Sequence, residues 1–158
     1  MIWQLLITAF GSSVLTIIVG YIKNRGGIEL NEYSAKLIYH RSPYLETFLL
    51  HFEIDLHFIN SSGYTKIIKN IHAKFFDGNE FIELSFDGYN TSPADVVEPN
   101  KNKCLQYKLL HDGKQLSFSL FHILDSQAYL IINYIINKKE KKLIILGGEI
   151  KTEDKTGN

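Results

Sequence analysis

The stretch from Phe48 to Ile59 reads FLLHFEIDLHFI, and this pattern decides the fold class. Apolar side chains occupy every second position from Leu50 to Phe58, and polar side chains occupy the positions between them. Such alternation is typical of a β-strand with one buried and one exposed face. The exposed face is expected to carry His51, Glu53, Asp55 and His57.

Further segments with strand character lie on both sides of this stretch. They are Ile28–Tyr39, Thr65–Phe76, Phe81–Phe86, Cys104–Leu110, Leu116–Phe121, Tyr129–Ile136 and Leu143–Ile150. Asp77-Gly78 predicts a hairpin turn, and Asp87–Asn102 predicts a long loop containing at most a short extended piece. Lys151–Asn158 is polar and is expected to be a disordered tail.

About eight strands without an amphipathic helix predict an all-β soluble domain over residues 26–150. The alternatives are an antiparallel sandwich, which is immunoglobulin-like, and a small barrel; we prefer the sandwich. The expected core consists of alternate apolar residues, namely Phe52, Ile54, Leu56, Phe58, Ile71, Phe75, Leu116, Phe118, Leu120, Ile131, Tyr134 and Ile136.

Residues 1–25 form the most apolar segment and predict an N-terminal transmembrane helix. Ile2–Ile22 contains 21 residues without a charged side chain, and at about 1.5 Å per residue it matches a hydrocarbon core of about 30 Å. Lys23 and Arg25 follow this segment, and no Lys or Arg precedes it. The positive-inside rule therefore predicts a single-pass protein of the cell inner membrane whose C-terminal domain is cytoplasmic.

Small and polar residues recur at every fourth position of this segment, at Gln4, Thr8, Ser12, Thr16 and Gly20. Small residues let transmembrane helices approach closely, and hydroxyl and amide groups form hydrogen bonds between them. This stripe predicts helix self-association and hence a homo-oligomer. Two alternatives are local hydrogen bonds to the preceding turn and a water-lined pore.

Composition and motifs argue against several functional classes. The 17 Lys and Arg residues balance the 17 Asp and Glu residues, whereas general nucleic-acid binding requires a basic surface. The sequence has no phosphate loop, nucleophile elbow or paired-cysteine motif, so we expect no enzyme, no catalytic or metal site and no cofactor. Lys103 precedes the single Cys104 and is expected to lower the pKa of its thiol.

Two groups of residues form the candidate binding surface. The first is the polar face His51, Glu53, Asp55 and His57, whose spacing along one strand supplies too few ligands for a metal. The second consists of Lys138, Lys139, Lys141 and Lys142, which crowd a predicted turn and suit an anionic ligand. For both groups the alternative is a solvated surface.

One helix, the Gly26-Gly27 joint and a compact β domain together resemble the small bacterial membrane effectors of anti-phage defence. The resemblance implies a β domain that senses a small anionic ligand such as a cyclic nucleotide, and a bilayer-bound oligomer. The architecture is similarly close to membrane-tethered immunoglobulin-like proteins of bacteria. The predicted function is a membrane-anchored, non-enzymatic binding or sensor module; the alternative is a passive membrane adaptor that tethers a partner protein.

Overall fold

The computed structural model describes residues 26–41, 48–87, 94–111, 116–118 and 127–156. Within these ranges the chain forms ten strands and one short 3-10 helix, Gly147–Glu149. The strands are β1 (Ile28–Arg41), β2 (Phe48–Asn60), β3 (Lys66–Phe76), β4 (Phe81–Phe86), β5 (Asp95–Val97), β6 (Lys101–Leu110), β7 (Leu116–Phe118), β8 (Tyr129–Ile136), β9 (Lys139–Leu146) and β10 (Lys151–Asp154).

The strands share one continuous hydrogen-bonded path in the order β10-β1-β2-β6-β4-β3-β8-β9, with β5 beside β3 and β7 beside β2. Strand β4 joins the two halves of this path. Its first part pairs with β3, whereas Ser85 and Phe86 pair with β6. The sheet therefore curls into a half-barrel instead of forming the two separate sheets of an immunoglobulin-like sandwich.

The inner faces of the two halves pack against each other to form one core. The rings of Phe52 and Phe75 lie 5.0 Å apart, and those of Phe58 and Tyr134 lie 5.6 Å apart. The alternation in β2 is confirmed, because its five apolar residues from Leu50 to Phe58 are at most 1% exposed. Ile71 and Ile136 belong to this core as predicted. Ile131 is buried, but it lies on the opposite face of β8 from the core residues Leu130 and Ile132, so its predicted place in the core is wrong. The side chains of Leu116, Phe118 and Leu120 lie outside the described residues.

Strand β3 departs from the predicted alternation. Strict alternation from the buried Ile71 and Phe75 would place Ile67 on the same face, but Ile67 is 52% exposed and its neighbour Ile68 is buried. The pairing of β3 with β8 shifts register between Lys69 and His72, and Asn70 has a φ of 52°. A bulge inserts one residue and exchanges the two faces of the strand on either side of it.

The predicted transmembrane part of the fold class is not borne out and is corrected. Among the described residues there is no helix that is long and apolar enough to cross a membrane. Ile2–Ile22, with the stripe Gln4, Thr8, Ser12, Thr16 and Gly20, lies outside the described residues. A run of uncharged residues is compatible with a span but does not establish one, so we do not propose an inner-membrane location.

The predicted disordered tail is wrong for Lys151–Asp154, which form β10. This strand pairs in parallel with Lys36–Tyr39 of β1, so the sheet is also not purely antiparallel. Beyond the strand, the Lys155 N–H donates to the Tyr39 carbonyl at 2.9 Å. Composition alone suggested disorder, but the exposed edge of β1 supplies hydrogen-bond partners for a short charged strand.

Candidate functional site

The polar face of β2 lies on the outer surface of the sheet, between β1 and β6. Register places Asp55 opposite Ser34 of β1 and Gln106 of β6, and it places Glu53 opposite Lys36 and Lys108. A depression of about 350 Å³ lies between β2 and β6 and is lined by residues of these two strands, namely Glu53, Ile54, Asp55, Gln106, Tyr107 and Lys108. The structure thus surrounds part of the predicted polar face with further polar groups.

Most polar groups on this face are already paired within the sheet. Ser34 Oγ donates to Asp55 Oδ2 and Gln106 Nε2 donates to Asp55 Oδ1, both at 3.1 Å. Lys36 forms an ion pair with Glu153 of β10, and that contact raises the pKa of Lys36 and lowers that of Glu153. Cross-strand pairs of this kind stabilise a sheet surface, so the face has a structural explanation without a ligand.

His51 differs from the other three members of the face because it is only 6% exposed. Its Nε2 lies 3.6 Å from Glu53 Oε1, and its Nδ1 has no hydrogen-bond partner among the described residues. Burial lowers the pKa of His51, the charge of Lys108 acts in the same direction, and Glu53 opposes both. His51 is therefore a mainly neutral, buried imidazole at neutral pH.

The fold brings Cys104 to His57, which the sequence did not indicate. Cys104 Sγ lies 3.5 Å from His57 Nε2, because the two residues are direct cross-strand partners. Desolvation by the surrounding sheet surface and the charge of Asp55 raise the pKa of the Cys104 thiol, so the predicted lowering is wrong. Lys103 points to the opposite face, where its Nζ contacts Asp95 Oδ1 and the Val96 carbonyl at 3.0 Å.

This pair does not have the properties of an activated nucleophile or of a metal centre. A reactive cysteine requires a lowered pKa, and here the pKa is raised. No group of three or more His, Cys, Asp or Glu side chains in the described ranges has the geometry to hold a metal ion.

The four lysines do not share a site with the polar face of β2. Only Lys138 lies in the turn, where it and Asn137 have positive φ angles of 65° and 52°. Lys139, Lys141 and Lys142 belong to β9, which begins four residues earlier than predicted. The turn is tight because two left-handed residues connect β8 directly to β9, and the lysines therefore line a strand at the end of the sheet path.

An apolar surface that the sequence pattern did not indicate lies on the outer face of β4, β3, β8 and β9. Register aligns Phe81, Phe76, Tyr129 and Leu146 in one row across the four strands. Ile144 lies two residues before Leu146, on the same face of β9. We call these five residues the apolar row. Phe81 and Leu146 are both 54% exposed and Ile144 is 45% exposed.

The aromatic members of the apolar row pack against one another in tilted and edge-to-face arrangements. Ring centroids are 5.0 Å apart for both Phe76–Phe81 and Phe76–Tyr129, and 6.1 Å apart for Phe81–Tyr129. Each residue sits out of phase with the buried positions of its strand, such as Phe75 and Leu130. That phase was a signal available in the sequence, but alignment into one row depends on strand order and register.

Comparisons with known proteins do not assign this chain to a family. No protein-family model matches the chain, and no curated protein matches it. Among solved structures, a crystal structure of a Bordetella pertussis protein described as ApaA has a TM-score of 0.40 and 10% sequence identity. The match covers 76% of this chain and 89% of that chain. A likeness this weak carries no argument about function.

Proposed function

We propose that this protein is a non-enzymatic binding module that docks another protein against the apolar row. The observation that supports the proposal is the alignment of exposed Phe81, Leu146 and Ile144 with half-buried Phe76 and Tyr129 on one sheet face. Contiguous apolar surface of this kind marks interaction sites, whereas single exposed apolar residues require no explanation.

The shape and composition of the row favour a protein partner over a small molecule. Small ligands bind in concave pockets, but the row crosses four adjacent strands on the outside of a sheet. Aromatic residues are enriched in the buried centres of protein interfaces. Lys74 and Glu83 form an ion pair beside the row, as expected for the polar rim of such an interface.

The proposal retains the binding module of the sequence-based prediction and omits the membrane anchor. The small anionic ligand, such as a cyclic nucleotide, and the homo-oligomer stay predictions. The likeness to defence effectors likewise stays a prediction. No catalytic role is assigned to the Cys104–His57 pair, because the raised thiol pKa argues against one.

Site-specific photo-crosslinking in cells tests the proposal with the full-length protein. A photoreactive phenylalanine analogue replaces Phe81 in one variant and Ile67 in a matched control, since both positions are similarly exposed but Ile67 lies outside the row. We expect a discrete crosslinked protein from position 81 that is absent from position 67.

The crosslinked protein is then purified and titrated against surface variants. Phe81→Ser should weaken binding at least tenfold, which corresponds to about 1.4 kcal/mol, and Ile67→Ser should change it less than twofold. Equal effects of the two substitutions, or no product that depends on position 81, would contradict the proposal. A crosslink to a second copy of this chain would contradict docking of another protein and would indicate self-assembly through the apolar row.

A further inference from the structure

Strand β9 ends the hydrogen-bonded path of the sheet. It pairs with β8 over its whole length without a register shift, and no strand in the described part of the chain pairs with its other edge. An open edge presents a row of backbone N–H and C=O groups that another extended segment can bind.

One hydrogen bond establishes which residues of β9 face this open edge. The Gly147 N–H donates to the Ala128 carbonyl at 2.8 Å, so Gly147 bonds toward β8. Bonded and outward-facing residues alternate in an antiparallel ladder, so Glu140, Lys142, Ile144 and Leu146 direct their backbone groups outward. The Leu146 N–H agrees, because it donates to the Glu149 carboxylate at 3.0 Å instead of to β8. That bond occupies the outward N–H of Leu146, so an incoming strand would bond to the outward groups of Glu140, Lys142 and Ile144.

The two halves of β9 differ in chemistry. Lys139–Lys142 carries three ammonium groups and one carboxylate, and Leu143–Leu146 is apolar. All four residues of the first half are exposed, and Ile144 and Leu146 of the second half belong to the apolar row. An incoming strand with acidic residues at one end and apolar residues at the other would complement both halves.

We propose that the open edge of β9 binds an extended segment of a partner protein by β-strand addition, with acidic residues opposite Lys139–Lys142 and apolar residues opposite Leu143–Leu146. The inference rests on the proposed function, because it specifies how the partner engages the apolar row. An added strand lies about 4.8 Å from β9, so its outer apolar side chains would extend the row beyond Ile144 and Leu146.

The lysines argue against a second copy of β9 as the occupant. In a parallel alignment like charges would oppose one another, and in an antiparallel alignment the lysines would face Leu143–Leu146. Lysine on an edge strand is a common protection against such self-pairing. An acidic segment is attracted by these lysines instead of being repelled. In β-strand addition, main-chain hydrogen bonds supply affinity and alternate side chains supply specificity.

The test uses a fluorescent, end-blocked peptide of eight residues, with four β-branched apolar residues followed by four residues that include three glutamates. Fluorescence anisotropy measures its binding to the full-length protein. We expect saturable binding that weakens with added salt, and at least tenfold weaker binding of a control peptide with lysines in place of the glutamates.

Two matched comparisons distinguish backbone pairing from side-chain docking, one between two protein variants and one between two modified peptides. Ile144→Pro removes an outward N–H without removing a bond to β8, whereas Ile144→Ala shortens the side chain and keeps that N–H. The proline variant should weaken binding at least tenfold and the alanine variant at most threefold, with unchanged melting temperatures. The second pair consists of two peptides, one N-methylated at the odd-numbered amides and the other at the even-numbered amides, so the protein itself is unchanged. Only one of these sets of amides would face β9, so only one of the two peptides should lose binding.

Equal binding by both N-methylated peptides would overturn strand addition. Absence of peptide binding would also overturn it, and so would equal binding of the acidic and basic peptides. The proposed function would survive each of these results if the partner crosslinked at position 81 still lost affinity with Phe81→Ser. Loss of the position-81 crosslink would contradict the proposed function itself.

Discussion

Replacement of Asn60 by alanine should be among the most destabilising single substitutions in this fold. The Asn60 side chain is fully buried at the end of β2. Its Nδ2 lies 2.9 Å from the Tyr64 carbonyl oxygen and 3.0 Å from those of Val97 and Glu98. Its Oδ1 accepts from the Ser62 N–H at 3.1 Å and from Ser62 Oγ at 2.7 Å. One amide thus joins the turn after β2 to the end of β5.

The magnitude follows from these contacts. An amide nitrogen has two hydrogens for the three carbonyl oxygens, so about four effective hydrogen bonds are lost, each with a net contribution of about 1 kcal/mol. Asn60→Ala also leaves buried carbonyl groups without a donor. We therefore expect the free energy of unfolding to fall by about 3 to 5 kcal/mol, a large part of the total stability of a domain this size.

Equilibrium unfolding in urea, followed by far-ultraviolet circular dichroism, measures the change in the free energy of unfolding. The control is Asn102→Ala, which removes an exposed amide from β6 and should change the free energy of unfolding by less than about 0.5 kcal/mol. A loss below about 1 kcal/mol for Asn60→Ala would refute the reasoning, since the amide would then be exchanging its bonds for water at little cost.

Three further predictions concern backbone approach, protonation and thiol reactivity. A Cβ at Gly26 would lie 2.1 Å from the Ser61 carbonyl oxygen, whereas a Cβ at Gly27 would meet nothing within 4 Å. Gly26→Ala should therefore lower the melting temperature measured by calorimetry, and Gly27→Ala should leave it nearly unchanged. The pKa of His51 is lowered in the folded state from the ordinary histidine value of 6.5. As the pH decreases through 6.5, His51 is therefore protonated in the unfolded protein before it is protonated in the folded protein, and the free energy of unfolding should fall. The slope should be at most about 1.4 kcal/mol per pH unit, and His51→Gln should reduce it in urea titrations at pH 5 to 8. Asp55 raises the pKa of Cys104, so Asp55→Asn should speed alkylation of the thiol by iodoacetamide at pH 8; an unchanged rate would exclude that electrostatic effect.

Much of the local structure was predictable from the sequence. The alternation in Phe48–Ile59 identified β2 and its buried face, and Asp77-Gly78 identified the hairpin between β3 and β4, where Gly78 has a φ of 102°. These features depend on neighbouring residues, because side chains alternate across a strand and glycine tolerates left-handed backbone angles. Interactions between neighbours in the chain can be inferred without knowing the fold.

The sites were much less predictable. His51, Glu53, Asp55 and His57 were correctly assigned to one strand face, but the expected exposure is wrong for His51, which is buried. The 3.5 Å approach of Cys104 to His57 joins residues 47 positions apart, so strand order decided it. The predicted lysine turn was misplaced because two left-handed residues made a tighter connection than its composition suggested.

The sequence by itself determined that the described part of the chain is built mainly of strands, and which side chains of β2 are buried. Only the tertiary structure decided that these strands form one curled sheet, that Lys151–Asp154 join it beside β1, and that the apolar row lies on four adjacent strands. The physical reason is that alternation is a property of one strand, whereas order, register and bulges are set by pairing between distant segments. One inserted residue near Asn70 is sufficient to exchange the faces of β3. The apolar row exists only because register aligns its members.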